Sequence, residues 1–234
     1  MKMKRLPMPA KNTNTLSAIE IAPESVAKRS IIWLHGLGAD GTDFVPIVSE
    51  LHLPAAMGVR FIFPHAPIMP ITVNNGYEMR AWYDIASLTI DGMIDKTGIL
   101  RSIHQLEMLI EKEEARGMAT RDIMLAGFSQ GAAIALATGV RYTKPLGGII
   151  ALSGYLPLAQ ETFEHASKAN QSIPIFLAHG MEDPIVPYAL GKASYVMLKQ
   201  ANYPVSWHSY NMPHSVCAAE IQDLSNWLKT VWNK

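Results

Sequence analysis

Between an apolar run, Asp122-Ile123-Met124-Leu125-Ala126, and a small-residue helical pattern, Ala132-Ala133-Ile134-Ala135-Leu136-Ala137, the chain inserts Gly127-Phe128-Ser129-Gln130-Gly131. A strand that must enter a helix across five residues has little room to turn. The central residue is driven into a strained backbone conformation with its side chain aimed out of the sheet. The flanking residues are glycines because a Cβ there would strike the neighbouring strand and helix. In that setting G-x-S-x-G is a nucleophile elbow, and Ser129 is the candidate nucleophile. The pentapeptide alone is a weak signal, and its flanks carry the weight. The plainer alternative is a Gly-rich strand-to-helix turn with no chemistry.

An elbow needs a parallel sheet around it. Short apolar runs at 16–22, 30–34, 59–63, 122–126, 147–152, 173–178 and 205–210 read as strands. Several are continuously apolar, such as Ile31-Ile32-Trp33-Leu34 and Phe61-Ile62-Phe63, as expected of strands buried on both faces. Between them, 42–51, 97–116, 130–140, 188–200 and 215–231 read as helices. Ile99, Ile103, Leu106, Leu109 and Ile110 form one stripe of the second, and Gly117 is placed to end it. The alternation predicts an α/β fold with right-handed crossovers and helices on both faces of a mostly parallel sheet. No repeat or low-complexity linker divides the chain, so an N-terminal extension over 1–15 and one domain over 16–234 are expected.

Composition excludes several function classes. Of 234 residues, 49% are apolar and 17% charged, which suits a large core. Basic and acidic residues both number 20, so no surplus points to nucleic acid or an anionic membrane. The single cysteine, Cys217, has no partner for an internal disulfide, which fits a reducing compartment. No apolar run reaches the ~18 residues of a transmembrane span, and none of signal-peptide length follows the first residues. A cytoplasmic protein is expected.

One stretch breaks the alternation. Residues 64–94 carry three early prolines and no clear period, and a loop of that length is usually functional. It is also apolar, and Ile68, Ile71, Trp82 and Leu88 are candidate acyl-binding residues. Alternatively, these side chains simply cap the core.

A serine hydroxyl needs a base, and the base an orienting carboxylate, arriving in the chain order Ser, Asp or Glu, His in this kind of sheet. After the strand at 173–178 comes His179-Gly180-Met181-Glu182-Asp183-Pro184. Asp183 is the candidate carboxylate. Glu182 is the nearer rival, with Asp183 favoured by the Pro184-Ile185-Val186-Pro187 that follows, whereas Asp122 begins a strand at the opposite edge. After the last strand comes Asn211-Met212-Pro213-His214-Ser215, and His214 is the candidate base. For the oxyanion, the elbow supplies the N–H of Gln130, and the glycine-rich loop His35-Gly36-Leu37-Gly38 supplies that of Leu37. That loop lacks both a phosphate-cradling lysine motif and the full G-x-G-x-x-G spacing. His35, His65 and His179 each follow a strand, but no metal-binding spacing accompanies them. No metal and no cofactor are expected.

Together Leu34-His35-Gly36-Leu37-Gly38, Pro64-His65-Ala66-Pro67, Trp82-Tyr83-Asp84-Ile85, the elbow, Leu152-Ser153-Gly154-Tyr155-Leu156-Pro157, His179-Gly180 with Asp183-Pro184-Ile185-Val186-Pro187, and His214-Ser215 run in order over nearly the whole chain. The set resembles the phospholipase/carboxylesterase family, which includes bacterial carboxylesterases and acyl-protein thioesterases. The resemblance implies an α/β-hydrolase fold without a large cap domain. It implies Ser129, Asp183 and His214 as a triad, with Leu37 and Gln130 as oxyanion amides. One departure is Asn211-Met212-Pro213 where the family commonly has a glycine before the histidine. Dimers are common in the family, so a second copy of the chain joins a small or lipid-like acyl ester among the expected partners. The leading expectation is a serine carboxylesterase working through an acyl-enzyme. The alternative is an acyl-protein thioesterase or lysophospholipase for long acyl groups. A non-catalytic binding protein on the same fold is a third reading, against which the three groups in order argue.

Overall fold

The computed structural model describes residues 16–86 and 94–233. The expected N-terminal extension at 1–15 and the candidate acyl-pocket residue Leu88 lie outside the described residues. In chain order the main elements are β1 (Ala18–Ile21), β2 (Arg29–Leu34), α1 (Ile47–Glu50), β3 (Val59–Pro64), β4 (Ile68–Ile71), β5 (Tyr77–Arg80), α2 (Lys96–Ala115), β6 (Ile123–Phe128), α3 (Gln130–Arg141), β7 (Gly148–Leu152), α4 (Ala159–Glu164), β8 (Ile175–Gly180), α5 (Tyr188–Gln200), β9 (Val205–Tyr210) and α6 (Ala218–Trp232). Seven strands form one sheet in the order β1-β3-β2-β6-β7-β8-β9. β1 runs antiparallel to β3, and every other pairing in the sheet is parallel.

The continuous apolar runs are explained by where their side chains go. Ile32 and Leu34 of β2, Ile123 and Leu125 of β6, Ile149 and Ala151 of β7, and Ile175 and Leu177 of β8 join one core with residues of α2, α3 and α5. The intervening Ile31, Trp33, Met124, Ala126, Ile150, Leu152, Phe176 and Ala178 join a second core with Ile47 of α1 and Leu224 and Leu228 of α6. Alternate residues serve opposite faces, so the strand centres are apolar at consecutive positions. This is the expected α/β-hydrolase architecture. No helix among the described residues is long and apolar enough to cross a membrane.

Three expectations need correction. The helix expected over 42–51 is reduced to α1, because Pro46 has no N–H to bond the Thr42 carbonyl and the chain turns there instead. The aperiodic 64–94 stretch contains a hairpin, β4 paired antiparallel with β5. Pro70 obscured it, yet proline is tolerated in an edge ribbon that needs no further ladder bond. The short α4 was not expected, since six residues are too few to display a helical period.

Glu220, in the first turn of α6, is fully buried, and among the described residues neither carboxyl oxygen has a hydrogen-bond partner. Burial raises its pKa from 4.5 to about 8, opposed by the Cys217 backbone amide. Below pH 4.5 both folded and unfolded chains hold this proton. As pH climbs toward 8 the unfolded chain releases it while the folded chain keeps it, so stability is lost over that window. Glu220→Gln removes the cost. Its melting temperature is expected to match the parent near pH 4.5 and to exceed it progressively up to pH 8, by about 2–4 °C for each kcal/mol. Melting curves at four pH values check this, and a gap that does not widen with pH contradicts it.

Candidate active site

β6 lies between β2 and β7, and the winding of the sheet reverses direction at the β2–β6 boundary. Loops leaving the C-terminal ends of strands diverge there and leave a crevice, the usual ligand position in such sheets. Ser129 stands at that point with φ 55° and ψ −118°, between the end of β6 and the start of α3. A non-glycine residue held so costs of order 1–3 kcal/mol. Its N–H donates to the Leu152 carbonyl at 2.9 Å, which helps hold it there. The glycines are required by contact. A Cβ on Gly127 would lie 2.3 Å from the Gly131 carbonyl carbon, and one on Gly131 would lie 2.4 Å from the Leu34 oxygen. Ser129 is 8% exposed, and among the described residues its Oγ has no hydrogen-bond partner.

The loop after β8 presents Asp183 with its side chain fully buried. Its Oδ1 accepts the N–H groups of Ile185 and Val186 at 2.8 and 2.9 Å, and its Oδ2 faces His214 Nδ1 at 2.7 Å. A carboxylate oxygen can only accept there, so Nδ1 carries the proton and Nε2 offers a lone pair. The imidazole also packs on Phe128, the neighbour of Ser129, with ring centroids 4.7 Å apart. Glu182, the rival carboxylate, is exposed and makes no contact with His214. The Asn211-Met212-Pro213 departure is accommodated by backbone bonding between the two loops. Met181 N–H donates to the Tyr210 carbonyl at 2.8 Å and Glu182 N–H to the Met212 carbonyl at 3.2 Å.

The loop after β2 runs against the serine, since a Cβ on Gly36 would come within 3.5 Å of the Ser129 Cβ. Leu37 follows at once and is half-buried. Its N–H donates to no backbone carbonyl among the described residues, and that of Gln130, at the first position of α3, has no helical acceptor. His35 anchors this loop. Its Nε2 accepts the Ala66 N–H at 3.1 Å, so Nδ1 carries the hydrogen and donates to the Gly36 carbonyl at 2.7 Å. Burial lowers its pKa, which keeps it neutral. His65 is occupied in accepting the Gly41 N–H. Among the described residues no group of three potential ligands could hold a metal ion.

Three of the candidate acyl-binding residues lie among the described residues and differ in burial. Ile71 and Trp82 are fully buried, whereas Ile68 is 62% exposed on the hairpin. Trp82 is a joint: its Nε1 donates to the His35 carbonyl at 2.8 Å, and its own carbonyl accepts Ser102 Oγ. The Gln130 side chain completes the joint, accepting the Trp82 N–H at 2.8 Å and donating to the Tyr83 carbonyl at 2.7 Å. The residue expected to matter through its backbone therefore also clamps the long loop to the elbow. Its partners are backbone groups, which leave no mark in a sequence. Gly38 N–H adds a bond to the Arg80 carbonyl at 2.9 Å and joins the hairpin to the loop after β2. A polar cleft of about 330 Å³ borders that junction, lined by Gly38, Ala39, Asp40, Thr42, Asp43 and Arg80.

Comparison with known proteins agrees with this arrangement. The phospholipase/carboxylesterase family matches residues 15–232. Acyl-protein thioesterase 1 of Yarrowia lipolytica is 37% identical over 217 residues, covering 91% of this chain and 96% of that one. The carboxylesterase SOBER1 of Arabidopsis thaliana is 31% identical over 207 residues, covering 87% of this chain and 91% of that one. Its crystal structure superposes with a TM-score of 0.83, covering 88% of this chain and 100% of that one. The crystal structure of acyl-protein thioesterase 2 of Zea mays, 29% identical, gives 0.80 over 92% and 98%. With the family matched from before the first strand to the end of the last helix, the chain is an ester-hydrolysing serine hydrolase and belongs to the phospholipase/carboxylesterase family.

Proposed function

We propose that this chain is an acyl-protein thioesterase, cleaving the thioester between a fatty acyl group and a protein cysteine. Ser129 Oγ attacks the acyl carbonyl while His214 Nε2 takes its proton. Asp183 remains ionised and holds the imidazole in the tautomer that can accept. The N–H groups of Leu37 and Gln130 stabilise the developing oxyanion. The tetrahedral intermediate collapses, His214 returns the proton to the departing sulfur, and water repeats the sequence on the acyl-serine.

The observation that carries the hydrolytic reading is the 2.7 Å Asp183–His214 contact beside a serine in the elbow conformation. Two features favour thioesters of long acyl chains over small esters in general. The Yarrowia and maize relatives are named as acyl-protein thioesterases. The hairpin joined to the loop after β2 displays Ile68 and Tyr77, 62% and 70% exposed, an apolar surface that small polar esters do not require.

The test is a series of acyl groups from C2 to C16 on matched oxygen esters and S-acyl cysteine peptides, with a lysophospholipid as a third arm. Each buried CH₂ is worth about 0.8 kcal/mol, or roughly fourfold in kcat/KM. The expected result is a rise with chain length and turnover of the S-palmitoyl peptide at least as efficient as that of the matched ester. Turnover confined to C2–C4 oxygen esters would return the assignment to a general carboxylesterase, and preference for the lysophospholipid would make it a lysophospholipase.

A further inference from the structure

Asp183 Oδ2 faces a second imidazole. His179, near the C-terminal end of β8, is fully buried, with Nε2 3.3 Å from Asp183 Oδ2 and 2.8 Å from the Val186 carbonyl oxygen. Both neighbours of that nitrogen are acceptors, so Nε2 carries the hydrogen. Nδ1 is buried with no partner among the described residues, and α5 presses on that edge of the ring: a Cβ on Gly191 would lie 2.3 Å from Nδ1. A proton on Nδ1 would be stranded there, so the ring is neutral.

We infer that His179 is a positioning residue for the reaction: its Nε2–H, donated to the Val186 carbonyl with the nitrogen 3.3 Å to the side of Asp183 Oδ2, holds the 183–186 loop and thereby the carboxylate and the aim of His214. The inference rests on the Ser129–His214–Asp183 reading above. With two backbone amides on Oδ1, His214 Nδ1 on Oδ2 and the edge of the His179 ring 3.3 Å from Oδ2, the carboxylate is held in one orientation. Neutrality matters as well. A cation at 179 would compete for the carboxylate and repel the imidazolium that forms at 214. Burial lowers the pKa of His179, opposed by the Val186 carbonyl and Asp183 and assisted by His214. Tyr188 meets the ring edge-on at 6.0 Å.

The experiment compares His179→Leu, His179→Gln and Ser129→Ala on a short-chain ester from pH 5 to 9, with thermal melts. Loss of the hydrogen bond to the Val186 carbonyl and of the N–H dipole beside Asp183 predicts a kcat loss of about tenfold in the leucine variant, with KM within about twofold. Without that N–H dipole nearby, Asp183 holds the His214 proton more tightly, so the acid limb of the kcat/KM profile moves to higher pH. Glutamine, whose amide N–H reaches the same position, recovers most of kcat. If the leucine variant does not fold, His179→Asn, whose shorter amide cannot reach the Val186 carbonyl, replaces it. A folded leucine or asparagine variant with parental kcat and an unmoved acid limb overturns the inference. So does equal impairment of the glutamine variant with an unmoved acid limb. Full turnover by Ser129→Ala refutes the underlying serine mechanism instead.

Discussion

Ser129→Ala is expected to lower kcat on any ester by a factor on the order of 10⁶, with residual acceleration left to the oxyanion amides and binding. It removes only the Oγ, which has no partner among the described residues, and alanine meets the same backbone strain at φ 55° as serine. Folding should therefore be nearly unchanged, within about 0.5 kcal/mol, as for substitutions that disturb no packing. Burst kinetics with a chromogenic ester and labelling by a fluorophosphonate read the outcome. A burst or a labelled protein from the alanine variant would remove Ser129 from the mechanism.

Asp183→Asn should cost a factor of about 10⁴ in kcat through the tautomer of His214. The amides of Ile185 and Val186 donate to the Oδ1 position, which fixes the asparagine oxygen there and leaves its NH₂ facing His214 Nδ1. Two donors cannot face each other. The imidazole then accepts at Nδ1, carries its hydrogen on Nε2, and can no longer take the serine proton. Steady-state kinetics with a melting curve separate the catalytic loss from unfolding. A fall smaller than tenfold in a folded variant would exclude Asp183 as the orienting carboxylate.

How legible the molecule was in its sequence differs from element to element. β2, β3, β6, β7 and β8 were readable because strands covered on both faces are apolar at both parities through their centres, so burial writes itself as a continuous apolar run. The elbow was readable because close backbone approach permits only glycine at 127 and 131. The β4–β5 hairpin was not, since a ribbon with exposed residues and an internal proline lacks both signatures. Nor was the distinction between Ile68 and Ile71, two apolar residues three apart in one segment, of which one is 62% exposed and the other fully buried.

Local pattern thus determined the layered α/β fold and the chain order of serine, carboxylate and histidine, because both follow from which positions are dry and where strands end. Tertiary structure alone decided the pairings. The parallel register of β8 with β9, His179 opposite Ser209 and Gly180 opposite Tyr210, lays the two following loops side by side and brings Asp183 rather than Glu182 to His214. It likewise set His179 beside the same carboxylate oxygen and the Gln130 side chain on the Trp82 backbone. Contacts of that kind depend on distance and direction between segments remote in sequence, and residue type at a single position carries neither.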